Sequence, residues 1–256
     1  MSLYVNDVWT ETLKQLIEHG RDVKPRGMCT KEFSKTTVVH MAMPVLTVKK
    51  RKLGYKFMAA EAHWILTGNN RVKDIAPYSK AISKYSDNGY TFFGAYGPKF
   101  VDQIDHVLKT LSDDKDSRQA VINIWREKPP KTKDVPCTLN LQWTIRDGYL
   151  ECHANMRSSD IWLGWPYDVF NFSMMSKYIL HHLAHGEYKD LQLGVLYLHS
   201  GCMHLYETDR KKAEACIKNP GKIEAKEKAI GVESNSPEDL IDSLVIMKED
   251  GIQWPE

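Results

Sequence analysis

Two segments of this chain hold a thiol, an arginine, a serine and two carboxylates. Cys137 stands in the run Asp134-Val135-Pro136-Cys137-Thr138-Leu139-Asn140-Leu141-Gln142-Trp143, where a turn enters a predicted strand. Further on comes Arg157-Ser158-Ser159-Asp160-Ile161-Trp162-Leu163-Gly164-Trp165-Pro166-Tyr167-Asp168. A thiolate is a strong nucleophile once a cationic or hydrogen-bonding neighbour lowers its pKa, and Arg157 can supply one. Arg26, Arg118, Arg157 and Ser158 form a candidate phosphate set, because guanidinium forks match phosphate oxygens. Each has a plainer reading: a free cysteine is usually a small buried hydrophobe, and a single arginine is usually a surface group.

Glu61 adds a second kind of chemistry. In the predicted helix around it, Phe57, Glu61, Trp64 and Ile65 share a face. A carboxylate inside an apolar stripe is costly unless it is paired or used, so Glu61 is either a structural partner or a general acid/base with a raised pKa. His204 and Tyr206, two apart on an extended segment, point to one side and could grip a sugar hydroxyl. No Gly-x-Ser-x-Gly, dinucleotide fingerprint or P-loop occurs. The residues alone therefore indicate a cysteine-dependent enzyme acting on a phosphorylated small molecule.

The elements that must position these groups follow from periodicity. The spacing predicts a helix over 7–19 (Val8, Leu13, Leu16 and Ile17 on one face), stopped by Gly20. It predicts a β-branched strand over 36–48 with a break at Pro44, and helices over 52–67 and 99–112. Ala120 to Trp125 reads as a short strand. The clearest hairpin pairs 138–145 with 149–156 across Arg146-Asp147-Gly148. A long helix opens at Pro166 and Tyr167 and runs to His185, and 190–200 reads as a strand followed by His204 and Tyr206. The last forty residues are more polar and are interrupted by Pro220 and Pro237. The 256 residues, 42% of them hydrophobic, suffice for one large core. The expected architecture is a single α+β domain over 1–256 without a regular βαβ rhythm.

Composition limits the partners. A net charge of +2 gives no electrostatic case for bulk nucleic-acid binding, although Lys49-Lys50-Arg51-Lys52 could form an anion-binding rim. The five cysteines (Cys29, Cys137, Cys152, Cys202, Cys216) are odd in number with no Cys-x-x-Cys pair. That argues against a disulfide framework and a cysteine-rich zinc site, so no metal is expected. With no signal-peptide pattern and no apolar run of spanning length, the expected location is a reducing cytoplasm.

The string from Arg157 to Asp168 closely resembles the thymidylate synthase signature Arg-Ser-x-Asp-x-x-Leu-Gly-x-Pro-Phe-Asn. Pro136-Cys137, Glu61 with Trp64 and Gly68, Val101-Asp102-Gln103-Ile104, Asp116-Ser117-Arg118 and His204-Leu205-Tyr206 fall in that family's order and spacing. The resemblance spans about 8–210, leaving 217–256 divergent. It implies the thymidylate synthase fold, a homodimer packed sheet against sheet, and transfer of a one-carbon unit from 5,10-methylenetetrahydrofolate to a pyrimidine nucleotide. By the same resemblance Cys137 adds to C6 of the ring. Arg26, Arg157 and Ser158 bind phosphate with Arg118 from the partner subunit, and His204 and Tyr206 hold the sugar. Tyr96 matches an active-site tyrosine. Asp160, Lys49 and Trp64 fall to the folate side.

Four departures sharpen the expectation. Asp168 stands where synthases have Asn, and a carboxyl group can accept from cytosine N4 while sharing a proton with N3, so it predicts a cytosine base. Its plainer reading is a carboxylate complementing a helix N-terminus. Thr138 replaces the histidine after the cysteine, as in the phage deoxycytidylate hydroxymethylases. Ile82-Ser83-Lys84-Tyr85-Ser86 lacks the tryptophans that synthases place beside the folate, which leaves room for water; the unmatched chain end, where synthases close the site, points the same way. Gln119 replaces a second arginine and weakens one phosphate contact. The expected activity is deoxycytidylate 5-hydroxymethyl transfer in a homodimer binding dCMP and folate. The alternatives are a dCMP or CMP C5-methyltransferase, a thymidylate synthase, and a non-catalytic relative that binds nucleic acid.

Overall fold

The computed structural model describes residues 2–186, 188–219 and 231–252. Helix α1 (Val5–His19) precedes the short strand β1 (Arg21–Val23) and the long strand β2 (Thr30–His40). Helices α2 (Tyr55–Leu66), α3 (Val72–Ile75) and α4 (Tyr96–Asp113) follow. Strands β3 (Val121–Asn123), β4 (Thr138–Arg146), β5 (Tyr149–Met156) and β6 (Ser159–Asp160) lead into helix α5 (Trp165–Ala184). Strand β7 (Gln192–Tyr206) and helices α6 (Glu207–Lys218) and α7 (Pro237–Asp250) come last. The strands make one sheet in the order β1-β2-β7-β5-β4-β3, with β6 also beside β7. Only the pairings of β7 with β5 and β6 are parallel, so the sheet is mixed, as the α+β reading requires.

The hairpin forms as its sequence predicts. Asp147 and Gly148 both have positive φ (51° and 80°), the conformation that suits a two-residue turn between twisted strands. Behind the sheet runs α5, apolar on nearly every side: Val169, Phe170, Phe172, Met174, Met175, Ile179 and Leu183 are buried. Its interior serines are reconciled with burial by bonding to their own helix, Ser173 Oγ to Val169 O at 2.7 Å and Ser176 Oγ to Phe172 O at 2.8 Å. Ser176 Oγ also accepts from Trp143 Nε1 of β4 at 2.8 Å, tying helix to sheet. A helix held this firmly is a rigid mount for the polar groups at its start.

Three expectations are corrected. The strand placed over 36–48 lies over Thr30–His40 instead. Residues 41–48 continue as buried irregular chain, with Met41, Val45, Leu46 and Val48 in the core. Scattered partners serve this backbone in place of a strand ladder: Met41 N donates to Gly194 O at 3.1 Å, the Tyr55 hydroxyl donates to Leu46 O at 3.0 Å, and Thr47 N donates to Asn6 Oδ1 at 2.8 Å. The strand placed over 190–200 runs on to Tyr206, so His204 and Tyr206 lie within it. Pro237 does not interrupt; it starts α7, with Ser236 Oγ accepting from Asp239 N at 3.1 Å as the N-cap. Pro220 lies outside the described residues.

Candidate active site

One bulge decides which side chains face the site. Along β7, Leu196, Leu198 and Ser200 are buried on the α5 side, so even positions point inward. Between the pairs Phe33↔Met203 and Lys35↔Ser200, β7 spends one residue more than β2. The extra residue reverses the alternation. Met203 and Leu205 then enter the core, and His204 and Tyr206 turn to the wall of a cavity. A second bulge, between Thr138 and Asn140, bends β4 just where Cys137 enters it.

The cavity measures about 450 Å³. It gathers Cys137, Glu61, Asp168, Tyr96, Arg26, Arg157, Ser158, His204, Tyr206, Asp160 and Trp64 from separate elements. Ile82 and Tyr85, from the run without tryptophans, also line it. Arg118 and Lys49 do not: both are exposed and outside the wall.

Arg157 clamps the turn that carries Cys137. Its Nε donates to Pro136 O at 3.0 Å and a terminal nitrogen donates to Val135 O at 3.1 Å. The same nitrogen lies 3.6 Å from Cys137 Sγ. The Tyr96 hydroxyl, at the first turn of α4, accepts from Thr138 Oγ1 at 2.9 Å and from Thr138 N at 3.4 Å. Ser158 Oγ and His204 Nδ1 are 3.2 Å apart, and His204 Nε2 is 3.8 Å from Asp160 Oδ2. Arg26 reaches the wall from a turn in which its own φ is 53°, a left-handed conformation uncommon for a residue with a side chain.

A family profile described as thymidylate synthase matches residues 7–240. The chain belongs to the thymidylate synthase family. The match runs past residue 210, where the sequence resemblance was expected to end. Among curated relatives, it is 29% identical over 182 residues to a deoxyuridylate hydroxymethyltransferase of Pseudomonas phage M6, covering 67% of this chain and 50% of that protein. It is 26% identical over 225 residues to a deoxyuridylate hydroxymethyltransferase of Bacillus phage SP01, covering 79% and 57%. A putative thymidylate synthase of Methanothermobacter thermautotrophicus is 29% identical over 238 residues, covering 85% and 98%. The chain therefore spans little more than half the length of the two phage relatives. Among the described residues no helix is long and apolar enough to cross a membrane, and no group of three or more His, Cys, Asp and Glu could hold a metal ion.

Burial sets the electrostatics of this family site. Enclosure pushes the Glu61 carboxyl up to about 7, against a hydrogen bond from Asn171 that favours its charged form. Asp168 is held well above the usual carboxylate range by burial, then by the nearby charges of Glu61 and Asp160. The dipole of α5 does not offset that enclosure. Burial also raises the Cys137 thiol, outweighing Arg157. Tyr96 is raised by burial, then by Asp168 and Cys137. Asp160 is raised chiefly by burial, although Oδ1 accepts from Trp162 N at 2.8 Å and Leu163 N at 2.9 Å.

Asn171 and Asp134 line the wall and were not among the sequence candidates. Asn171 lies three residues beyond Asp168, and its Nδ2 donates to Glu61 Oε2 at 2.8 Å. The signal was available: a polar residue one turn from Asp168 in an apolar helix faces the same way. Asp134 accepts from Gly94 N at 2.7 Å and is raised by burial. A side chain at position 94 would come within 2.5 Å of Asp134 O, so the close approach requires glycine there.

The raised Glu61 value has a consequence for stability. The folded state holds the Glu61 proton up to about pH 7, whereas the unfolded chain releases it near the ordinary value of 4.5. Folding thus binds a proton between those values, and stability falls as pH rises through that window. Glu61→Gln removes the effect. At pH 8 it should stabilise the protein by roughly 3 kcal/mol, and at pH 4.5 by much less. Urea unfolding at both pH values checks this; an equal gain at each would refute it.

Proposed function

We propose that this chain transfers a one-carbon unit from 5,10-methylenetetrahydrofolate to C5 of dCMP and hydrates it to 5-hydroxymethyl-dCMP. The observation behind the choice of base is the Asp168 carboxyl, half-buried in the wall of the same cavity as Cys137, where burial, and then the charges of Glu61 and Asp160, favour its protonated form. Such surroundings favour a base that takes up a proton. Cytosine does so at N3; uracil carries a hydrogen there already. Asp168 gives its proton to N3 and, as a carboxylate, accepts from N3–H and N4–H together. That proton withdraws electrons from the ring as the Cys137 thiolate attacks C6.

The remaining residues divide the work. Arg26, Arg157 and Ser158 face the phosphate, and the partner subunit adds Arg118 across the uncovered sheet face that presents His153, Tyr197 and His199. His204 and Tyr206 take the sugar. Glu61, titrating near neutrality, moves protons and orders the attacking water. Tyr96 lies beside Asp168 and Cys137 and relays a proton at C5. Asp160 and Trp64 hold the folate: buried Asp160 Oδ2 has no hydrogen-bond partner, which suits a ring N–H donor. Lys49 meets the anionic tail outside the cavity. Bound methylenetetrahydrofolate supplies the one-carbon unit, and water supplies the hydroxyl oxygen. Ile82 and Tyr85 in the wall, rather than indoles, support access for that water. No metal or nucleic acid is required by this reading, and the catalytic domain over 1–256 acts in the cytoplasm.

A second reading has its own support. Two relatives are named for deoxyuridylate, and a neutral Asp168 could offer O–H to uracil O4 and its carbonyl to N3–H. Incubation with methylenetetrahydrofolate and either nucleotide, followed by mass analysis of the product, separates the readings. A dCMP product heavier by one formaldehyde equivalent, with tetrahydrofolate released, is expected. A gain of one methylene with dihydrofolate would mean a methylase, and turnover of dUMP alone would overturn the role given to Asp168.

A further inference from the structure

Asn171 has no part in the chemistry just described, yet it is the group that touches Glu61. It is 4% exposed, sits on the rigid helix α5, and donates through Nδ2 to Glu61 Oε2 at 2.8 Å. Its other end, Oδ1, is buried with no hydrogen-bond partner. Buried amide oxygens are rarely left unsatisfied, so one that lies against a catalytic cavity calls for a reason.

The reason lies in what Glu61 must do. As a carboxylate it needs a donor; as a carboxylic acid its O–H needs an acceptor. An asparagine amide has one of each at its two ends, nearly equal in shape, and half a turn about Cβ–Cγ exchanges them. A partner at the far end would ordinarily lock one orientation. Here Oδ1 has none, so the turn exchanges the bond to Glu61 and breaks no other at the oxygen end. We propose that Asn171 is a positioning residue whose amide donates to the Glu61 carboxylate and, turned over, accepts from the Glu61 carboxylic acid, keeping the acid/base group in one place through its proton cycle. This rests on reading Glu61 as the acid/base group.

Other groups around Glu61 do not offer the same service. Tyr167 and Asp168 on α5 sense its charge as like-signed neighbours. Tyr96 on α4 and Cys137 at the start of β4 face the same cavity, but the Tyr96 hydroxyl is taken by Thr138 and the thiol lies against Arg157. His63, on the same helix, is turned toward Lys248 of α7. The hydrogen bond from Asn171 is the influence that favours an ionised Glu61.

Asn171→Leu keeps the shape and removes both donor and acceptor. The probe is the infrared carbonyl band of protonated Glu61, identified by its loss in Glu61→Gln and followed against pH. The midpoint of that band should rise by up to roughly one pH unit in the leucine variant, because the charge-assisted bond lost from the carboxylate is stronger than the neutral bond lost from the acid. The acidic limb of kcat should move the same way, with kcat falling more than KM rises. The acid-form band should also shift in frequency, because its O–H loses Oδ1. An unchanged midpoint overturns the donor half of the proposal, and an unchanged frequency overturns the turn of the amide. Asn171→Ala, which only removes atoms, gives the same two readings if leucine is not accommodated. Full turnover in Glu61→Gln would instead overturn the acid/base reading, while the infrared results would still judge Asn171.

Discussion

Replacing Cys137 with alanine is expected to lower turnover on the order of 10⁴-fold or more while leaving nucleotide affinity within about threefold. The argument is one of placement. Cys137 Sγ is held at the entry to β4 by a bulge on one side and by Arg157 on the other, 3.6 Å away. The phosphate and sugar contacts assigned to Arg26, Ser158, His204 and Tyr206 do not pass through the thiol, so binding should survive its loss. Deprotonation must be assisted, because burial raises the thiol. Asp168 in its charged form opposes the thiolate, and the cationic N3–H of the cytosine that takes its proton offsets that charge. Single-turnover kinetics and calorimetric titration with dCMP check the two halves of the result. Wild-type turnover in the alanine variant would remove the covalent mechanism. Loss of binding in step with turnover would make Cys137 a packing residue, the plainer reading of any free cysteine.

How much of this was legible beforehand differs by element. The hairpin of β4 and β5 was, because Asp147-Gly148 forces one turn geometry and alternation fixes the faces. Helix α5 was, because Gly164 and Pro166 mark its start and apolar residues fill it. Residues 41–48 were misread, since an apolar run near a strand looks the same whether its backbone is served by a strand ladder or by scattered groups such as Asn6 and Tyr55. The bulge in β7 was invisible: it shows only as a mismatch of register between two strands far apart in sequence. Yet that bulge is what brings His204 and Tyr206 to the cavity. The site residues were legible by type and family order, whereas the ties between them were not. Asn171 was passed over because attention rested on residues with recognisable chemistry, and its value lies in the 2.8 Å contact with Glu61.

Asp168→Asn should exchange one base for the other. In the wild-type cavity, Asp168 donates a proton to cytosine N3 and then stands as a carboxylate against two N–H groups. An asparagine amide has no proton to give up. It can hydrogen-bond cytosine, but it cannot draw electrons from the ring as the thiolate adds. For dCMP, kcat should therefore fall by about 10³-fold or more, with a smaller change in KM, because the lost interaction belongs to the transition state. For dUMP the amide restores the pattern that synthases present, one donor to O4 and one acceptor for N3–H. Discrimination by a site built to hydrogen-bond one pattern reaches roughly 10⁴-fold, so the ratio of the two kcat/KM values should swing toward uracil on that order. Stability should rise at neutral pH, since the amide removes an acid whose ionisation is opposed by burial first and then by Glu61 and Asp160. Competition between dCMP and dUMP in one vessel, read by product mass, measures the swing directly. If the wild type already prefers dUMP and the asparagine variant keeps that preference, Asp168 does not choose the base.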